Sequence, residues 1–298
     1  MSKISYLQHD QIDKKRWDNT IDSSVNKRVY ALSWYLDMVS PGWEALVMGD
    51  YESIMPLPSK QKLFIKYLIQ PVLCQQLGVY TGNNDGHIDI FIEKIRSRFL
   101  YINLNFGIPQ LPINSSHIFD KRTNHELYLN SDYSVLAKNY SRRTIRNIKV
   151  ANESGLRLSY TMSAKEFTDF KRNFSNPGLK ENFFSSLQKI CEHFIGKKMG
   201  EIVATVNSNE EILSAAFYFI YDTRLYFTVT VSNAKGKENS AMHLILDSII
   251  KKYANSDLIL DFTGSSLKGV AYFNEGFGAK STTYYSFIYS RLPKFLKN

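Results

Sequence analysis

The stretch from Leu156 to Tyr289 limits the possible folds more than any other part of the chain. Its apolar spacing predicts a strand over Leu156 to Tyr160, a helix opened by the capping box Ser163-Ala-Lys-Glu166, and a second helix over about Glu181 to Ile195. Three strands follow, Glu201 to Val206, Ile212 to Tyr221 and Arg224 to Val231. They are separated only by Asn207-Ser-Asn-Glu210 and Asp222-Thr223, so an antiparallel sheet is their natural product. Met242, Ile245, Leu246, Ile249, Ile250 and Tyr253 then recur at helical spacing over Ser240 to Tyr253. A strand over Leu258 to Phe262, a short helix near Lys268 to Asn274 and a strand over Thr282 to Tyr289 complete the order.

The first half also alternates strands and helices. Val25 to Met38 reads as a helix with Val29, Leu32 and Leu36 on one side. Trp43 to Met48 and Tyr51 to Leu57 read as a hairpin across Gly49-Asp50. Leu63 to Tyr80 is apolar with interruptions, and a loop over Gly82-Asn-Asn-Asp-Gly86 follows. A helix is expected over His87 to Phe99 and a strand over Tyr101 to Phe106. Ser131-Asp132 caps a long helix expected to run to about Ser154, with Gly155 as its stop. With 298 residues the chain exceeds the usual single domain, so two are expected, over 1–130 and 131–298. The fold class is α/β (α+β), with mixed, largely antiparallel sheets flanked by helices.

Composition narrows the setting. The start interleaves Lys3, His9 and Asp10 with apolar residues, unlike a signal peptide, and no apolar run approaches the ~20 residues of a membrane-spanning helix; a soluble, cytoplasmic protein is expected. Cys74 and Cys191 lie apart in apolar segments and read as small buried hydrophobes. The six histidines show no ligand spacing, so no metal is expected, and no phosphate loop, dinucleotide fingerprint or nucleophile elbow occurs. The net charge of +9 makes a polyanionic partner plausible without choosing among RNA, a phosphate-bearing coenzyme and an anionic lipid surface.

The element order from Leu156 onward resembles that of the GNAT acyltransferases. The segments Arg142-Arg-Thr-Ile-Arg-Asn-Ile-Lys-Val-Ala151, Leu260-Asp-Phe-Thr-Gly-Ser265 and Phe273 to Ala279 look like those of the Fem-like double-GNAT transferases. The resemblance covers most of residues 125 to 285 and implies two GNAT-like domains, the first degenerate, with a cleft where they meet. It implies an N-acyltransferase that takes an acyl group from an acyl-CoA-type thioester, with no tightly bound cofactor, and passes it to a small-molecule or peptide amine. A Fem-like transferase using aminoacyl-tRNA, or an inactive GNAT fold serving as a binding module, are the other readings.

In a GNAT fold the loop after the third antiparallel strand brings helix N-terminal amides to the donor's pyrophosphate. Here that loop offers Asn233, Lys235, Gly236 and Lys237, of which only Gly236 matches the family pattern. Tyr272 stands four positions before Gly276-Phe277, where the family places its proton donor to the leaving thiolate; the alternative is ring packing. Asp261 either orients or deprotonates the amine or caps the following turn. Arg142, Arg146 and Lys149 share a helix face and either hold phosphates or keep that face solvated. Gln70, Gln75 and Gln76 either line a substrate cleft or satisfy buried backbone groups.

Overall fold

The computed structural model describes residues 3–82, 88–107, 119–175 and 178–292. Positions 83–86 of the expected loop and residues 293–298 of the tail lie outside the described residues. The chain forms two compact units, 1–122 with 283–298, and 123–282.

The first unit begins with β1 (Ile4–Leu7), α1 (Lys14–Ser23), α2 (Ser33–Val39), β2 (Glu44–Met48) and β3 (Ser53–Leu57). It continues through β4 (Ser59–Lys62), β5 (Ile65–Ile69), β6 (Tyr80–Thr81), α3 (Ile88–Arg98) and β7 (Tyr101–Phe106). Strands β1, β2, β3 and β6 form an antiparallel sheet in that order, and the β2–β3 hairpin turns at Gly49 as expected. The helix expected over Val25 to Met38 is absent from its first half. Val29, Tyr30 and Ala31 form a single 3-10 turn and Leu32 is extended, so four consecutive apolar residues are buried instead of one face in four. Helix α1 escapes detection because only Trp17 and Ile21 carry its buried side.

The sequence boundary of the units falls within β8 (Phe119–Tyr128). Next come α4 (Tyr133–Lys138), α5 (Arg142–Glu153), β9 (Arg157–Ser159), α6 (Ala164–Phe174), α7 (Glu181–Gly196), β10 (Gly200–Val206), β11 (Ile212–Tyr221) and β12 (Arg224–Ser232). The chain ends with α8 (Ala234–Glu238), α9 (Ala241–Tyr253), β13 (Ile259–Asp261), α10 (Lys268–Gly276) and β14 (Lys280–Ser290). The long helix expected from Ser131 is two helices. Ser141 takes up the Gly276 carbonyl with its N–H and caps α5 by accepting from Thr144 N, while the buried Tyr140 hydroxyl donates to Asp247. A continuous helix would lose all three bonds.

In the second unit the strand order is β8-β13-β12-β11-β10-β9, antiparallel throughout except β12 with β13. One face carries Leu127, Ala216, Tyr218, Leu225 and Leu260 in a core with Ile245, Leu246, Ile249 and Ile250 of α9 and Phe277. The other carries Phe217 and Phe219 against Phe167 of α6 and Phe194 of α7. The last strand does not stay with its neighbours in sequence: Tyr285 to Ser290 of β14 pair with β7, which places the end of the chain in the first unit.

Candidate functional site

The parallel pair at the centre of the second unit is short. Arg224, Leu225 and Tyr226 pair with Ile259, Leu260 and Asp261, and the two strands then part. Two local devices cause the parting. Strand β12 carries a bulge at Thr228, where its register with β11 shifts. Beyond β13 the chain enters a left-handed turn, with Thr263 at φ +55° and Gly264 at φ +114°. Asp261 Oδ1 accepts from Thr263 N, and Asn124, which donates to the same oxygen, accepts from Gly264 N. These bonds fix a conformation that a threonine rarely adopts.

After the bulge no strand among the described residues pairs with β12 on that side. Asn233 N donates to Leu213 O, so by antiparallel alternation the backbone groups of Ser232 and Thr230 point away from β11, toward the side that β13 has left. Lys171 of α6 reaches this edge and donates to Thr230 O at 2.8 Å; burial holds its amine below the usual lysine range. An edge of spaced carbonyls and amides suits an extended ligand that carries amides of its own.

The loop from β12 to α9 is not open. Residues 234–238 form α8, and Asn233 caps it by accepting from Gly236 N while donating to Ile212 O. Gly236 is needed for packing, because a Cβ there would overlap the Leu213 carbonyl and the Ser214 hydroxyl. Lys235 and Lys237 are exposed, and Lys235 pairs with Glu211 at 2.9 Å.

Helices α5, α9 and α10 meet beside this loop. His243, in the first turn of α9, packs its ring against Phe273 and Phe277 and lies 3.0 Å from the Asn147 amide of α5. Burial, partly offset by a backbone hydrogen bond at Ser240, lowers its pKa to about 4. The Arg143 guanidinium lies over the Tyr272 ring at 5.5 Å, and Tyr272 is 55% exposed. A phenol O–H and a guanidinium therefore share an accessible surface beside a neutral imidazole. Arg142, Arg146 and Lys149 are exposed on α5, where Lys149 faces Glu153 at 3.6 Å.

Asp261 is in a different place from Tyr272. Leu225, Leu260 and Leu127 turn into the core beneath α9, so by strand alternation Tyr226, Asp261 and Glu126 face the opposite side. Asp261 is fully buried, and Arg224 Nη1 donates to its Oδ2 at 3.0 Å and to Glu126 Oε1 at 2.7 Å. Burial disfavours the Arg224 charge, but the two carboxylates outweigh it and raise the guanidinium pKa above its ordinary value. With Arg224, Asn124 and Thr263 on its oxygens, Asp261 is equipped to hold the turn that parts the strands rather than to take a proton from an amine.

The glutamines belong to the first unit. Gln70 accepts from Asn105 N and donates to Cys74 O; Gln76 donates to Gln75 Oε1, and Asn105 donates to Gln75 O. They tie the 70–77 segment to β7. Both cysteines are buried, and burial raises each thiol well above its usual pKa. Among the described residues no group of three or more His, Cys, Asp or Glu is arranged to hold a metal, and no helix is long and apolar enough to cross a membrane.

Sequence reading missed His243, Asn147, Lys171 and Arg224. Only Arg224 left a trace, as a lone cation opening an apolar strand, which demands a buried partner.

No family model matches the chain, and no curated protein matches it significantly. Solved structures do. FemX superposes with a TM-score of 0.65 at 10% identity, over 95% of this chain and 97% of that one. The C-terminal domain of a putative lysylphosphatidylglycerol synthetase from Agrobacterium fabrum gives a TM-score of 0.53 at 9% identity, over 94% and 92%. Saccharomyces cerevisiae N-myristoyltransferase with bound myristoyl-CoA gives 0.50 at 12% identity, over 96% and 79%. At these identities the likeness is one of architecture, and by its architecture the chain has the Fem-like GNAT fold.

Proposed function

We propose that the chain is an N-acyltransferase that moves an acyl group from an acyl-CoA-type thioester to an amine. The observation that carries this reading is the parting of β12 from β13. It leaves a strand edge beside the α5–α9–α10 surface, at the carboxyl ends of a parallel pair, where open α/β sheets receive ligands. The pantetheine arm of such a donor is an extended chain with two amides and fits the Thr230–Ser232 edge by strand addition. The myristoyl-CoA bound by the yeast structure is consistent with a donor of this class.

In the transfer the amine attacks the thioester carbonyl, the C–N bond forms, the C–S bond breaks, the nitrogen releases one proton to bulk water, and the thiolate takes one from the protein, which water then restores. Tyr272 is the proposed donor of that proton, and Arg143 over its ring supplies positive charge beside the developing anion. Lys235 and Lys237 serve the donor's phosphates electrostatically, since the α8 backbone already uses its own cap. Asp261 is assigned to positioning.

A thermal-shift screen across acyl-CoAs, acyl-carrier protein and aminoacyl-tRNA tests the assignment. A donor at about 100 times its Kd stabilises the native state by roughly 2.7 kcal/mol, and stabilisation by acyl-CoA alone is expected. The exposed Arg142, Arg146 and Lys149 favour aminoacyl-tRNA as the second reading. Gel-shift titration with tRNA at two ionic strengths checks it, and absence of binding at low salt removes it.

A further inference from the structure

The β4–β5 hairpin turns on Leu63 and Phe64, between the paired residues Lys62 and Ile65. Both turn residues are left-handed, at φ +47° and +63°. A two-residue turn of this kind prefers Asn-Gly, because a bulky side chain at positive φ is strained. The strain is not repaid by packing: Leu63 is 73% exposed and Phe64 is 97% exposed. Folding therefore gives no reason for an apolar pair at this apex.

The surrounding charge does. Lys60 and Lys62 are exposed on the β4 strand just behind the apex, two residues apart and so on one face of the hairpin. No acidic residue occurs between Glu52 and Asp85, and the whole chain carries +9. We infer that this hairpin is a membrane-docking finger: Leu63 and Phe64 enter the acyl boundary of an anionic bilayer while Lys60 and Lys62 meet its phosphates.

The shape fits that partner. The apex is convex and two residues wide, so it needs no groove to receive it. Lysine stems of this length lie along apolar surface and hold their ammonium groups at headgroup level. The Lys62–Ile65 pair satisfies the hairpin backbone just behind the apex, so the side chains at the apex are what enters. Two apolar residues alone bind a bilayer weakly, and anionic lipid adds the second attraction; binding should be reversible and fall with salt.

The full chain should co-sediment at low salt with phosphatidylcholine vesicles containing roughly 30% phosphatidylglycerol, and far less with phosphatidylcholine alone. Leu63→Asn with Phe64→Gly relieves the turn, so the double variant should melt no lower than the parent, yet its vesicle affinity should fall about tenfold or more. Lys60→Gln with Lys62→Gln should flatten the salt dependence. In Phe64→Trp, emission should shift to the blue on adding anionic vesicles and be quenched by lipids brominated in the acyl chain. Three results would each overturn the inference: no vesicle binding by the parent, equal binding by the Leu63→Asn/Phe64→Gly variant, or Phe64→Trp emission indifferent to vesicles. A concentration-dependent dimer abolished by the same double substitution, without vesicle binding, would assign the finger to a second copy of the chain instead.

Discussion

Replacing Arg224 by Met tests the role given to Asp261. The guanidinium meets Asp261 and Glu126 at 3.0 and 2.7 Å, and the two carboxylate side chains are only 0% and 9% exposed. Methionine keeps much of the volume but leaves two buried carboxylates uncompensated. Breaking a buried pair from one side typically costs about 3–5 kcal/mol. For a unit of this size each kcal/mol lowers Tm by roughly 2–4 °C, so a fall of about 6–20 °C is expected. Thermal unfolding of parent and variant at neutral pH measures the shift, and urea unfolding the free energy. Combining Arg224→Met with Glu126→Gln and Asp261→Asn should recover part of the loss, since removing both partners is cheaper than orphaning one. A loss under about 1 kcal/mol in the single variant would refute the reasoning, and the cluster would then be solvated and Asp261 open to a chemical role.

Further outcomes follow from other sites. Tyr272→Phe should lower turnover by ~100-fold or more with donor affinity nearly unchanged, measured by steady-state kinetics and calorimetry; full turnover would make Tyr272 a packing residue. Gly236→Ala should cost about 1–3 kcal/mol in thermal unfolding, because the added carbon meets backbone rather than a side chain that can turn aside. His243 has its folded pKa lowered to about 4, below its unfolded value, so the neutral form is favoured by the fold. That contribution is complete above the unfolded pKa of roughly 6.5 and is lost as pH falls through about 4, on the order of 2 kcal/mol after allowing for solvent at a partly exposed ring. His243→Phe should flatten stability over that window.

Most of the second unit is legible in the sequence because its elements are long and one-faced. The meander, the capping box at Ser163 and α9 fall where apolar period and polar breaks put them. Strand β8 has no comparable signal: Asp120 to Thr123 are polar and exposed, while Asn124, His125 and Glu126 are polar and buried. A strand whose inward residues are polar is written in its partners, not in its own pattern. The break between α4 and α5 is equally unreadable, since it depends on Gly276 arriving from the far end of the unit. At the candidate site the sequence singles out Tyr272 and Asp261 as companions. The structure separates them, because Asp261 and Leu260 are neighbours that face opposite ways and only Leu260 looks toward α9. The glutamines are readable as polar residues in an apolar run and Asn233 as a residue of a polar loop, yet their backbone partners could come only from the fold.

The pairing of β14 with β7 has a consequence for how the chain is born. Tyr285 meets Phe106, so β7 waits for a neighbour made about 180 residues later, roughly 10–40 s at ordinary elongation rates. During that interval the second unit can emerge and fold from contacts already synthesised, while the first holds an unfinished strand edge in water. Unpaired edges recruit other strands. Anything that slows translation past residue 282 should therefore raise the burden on ribosome-associated chaperones, and the N-terminal portion, although made first, should be the later of the two to resist protease.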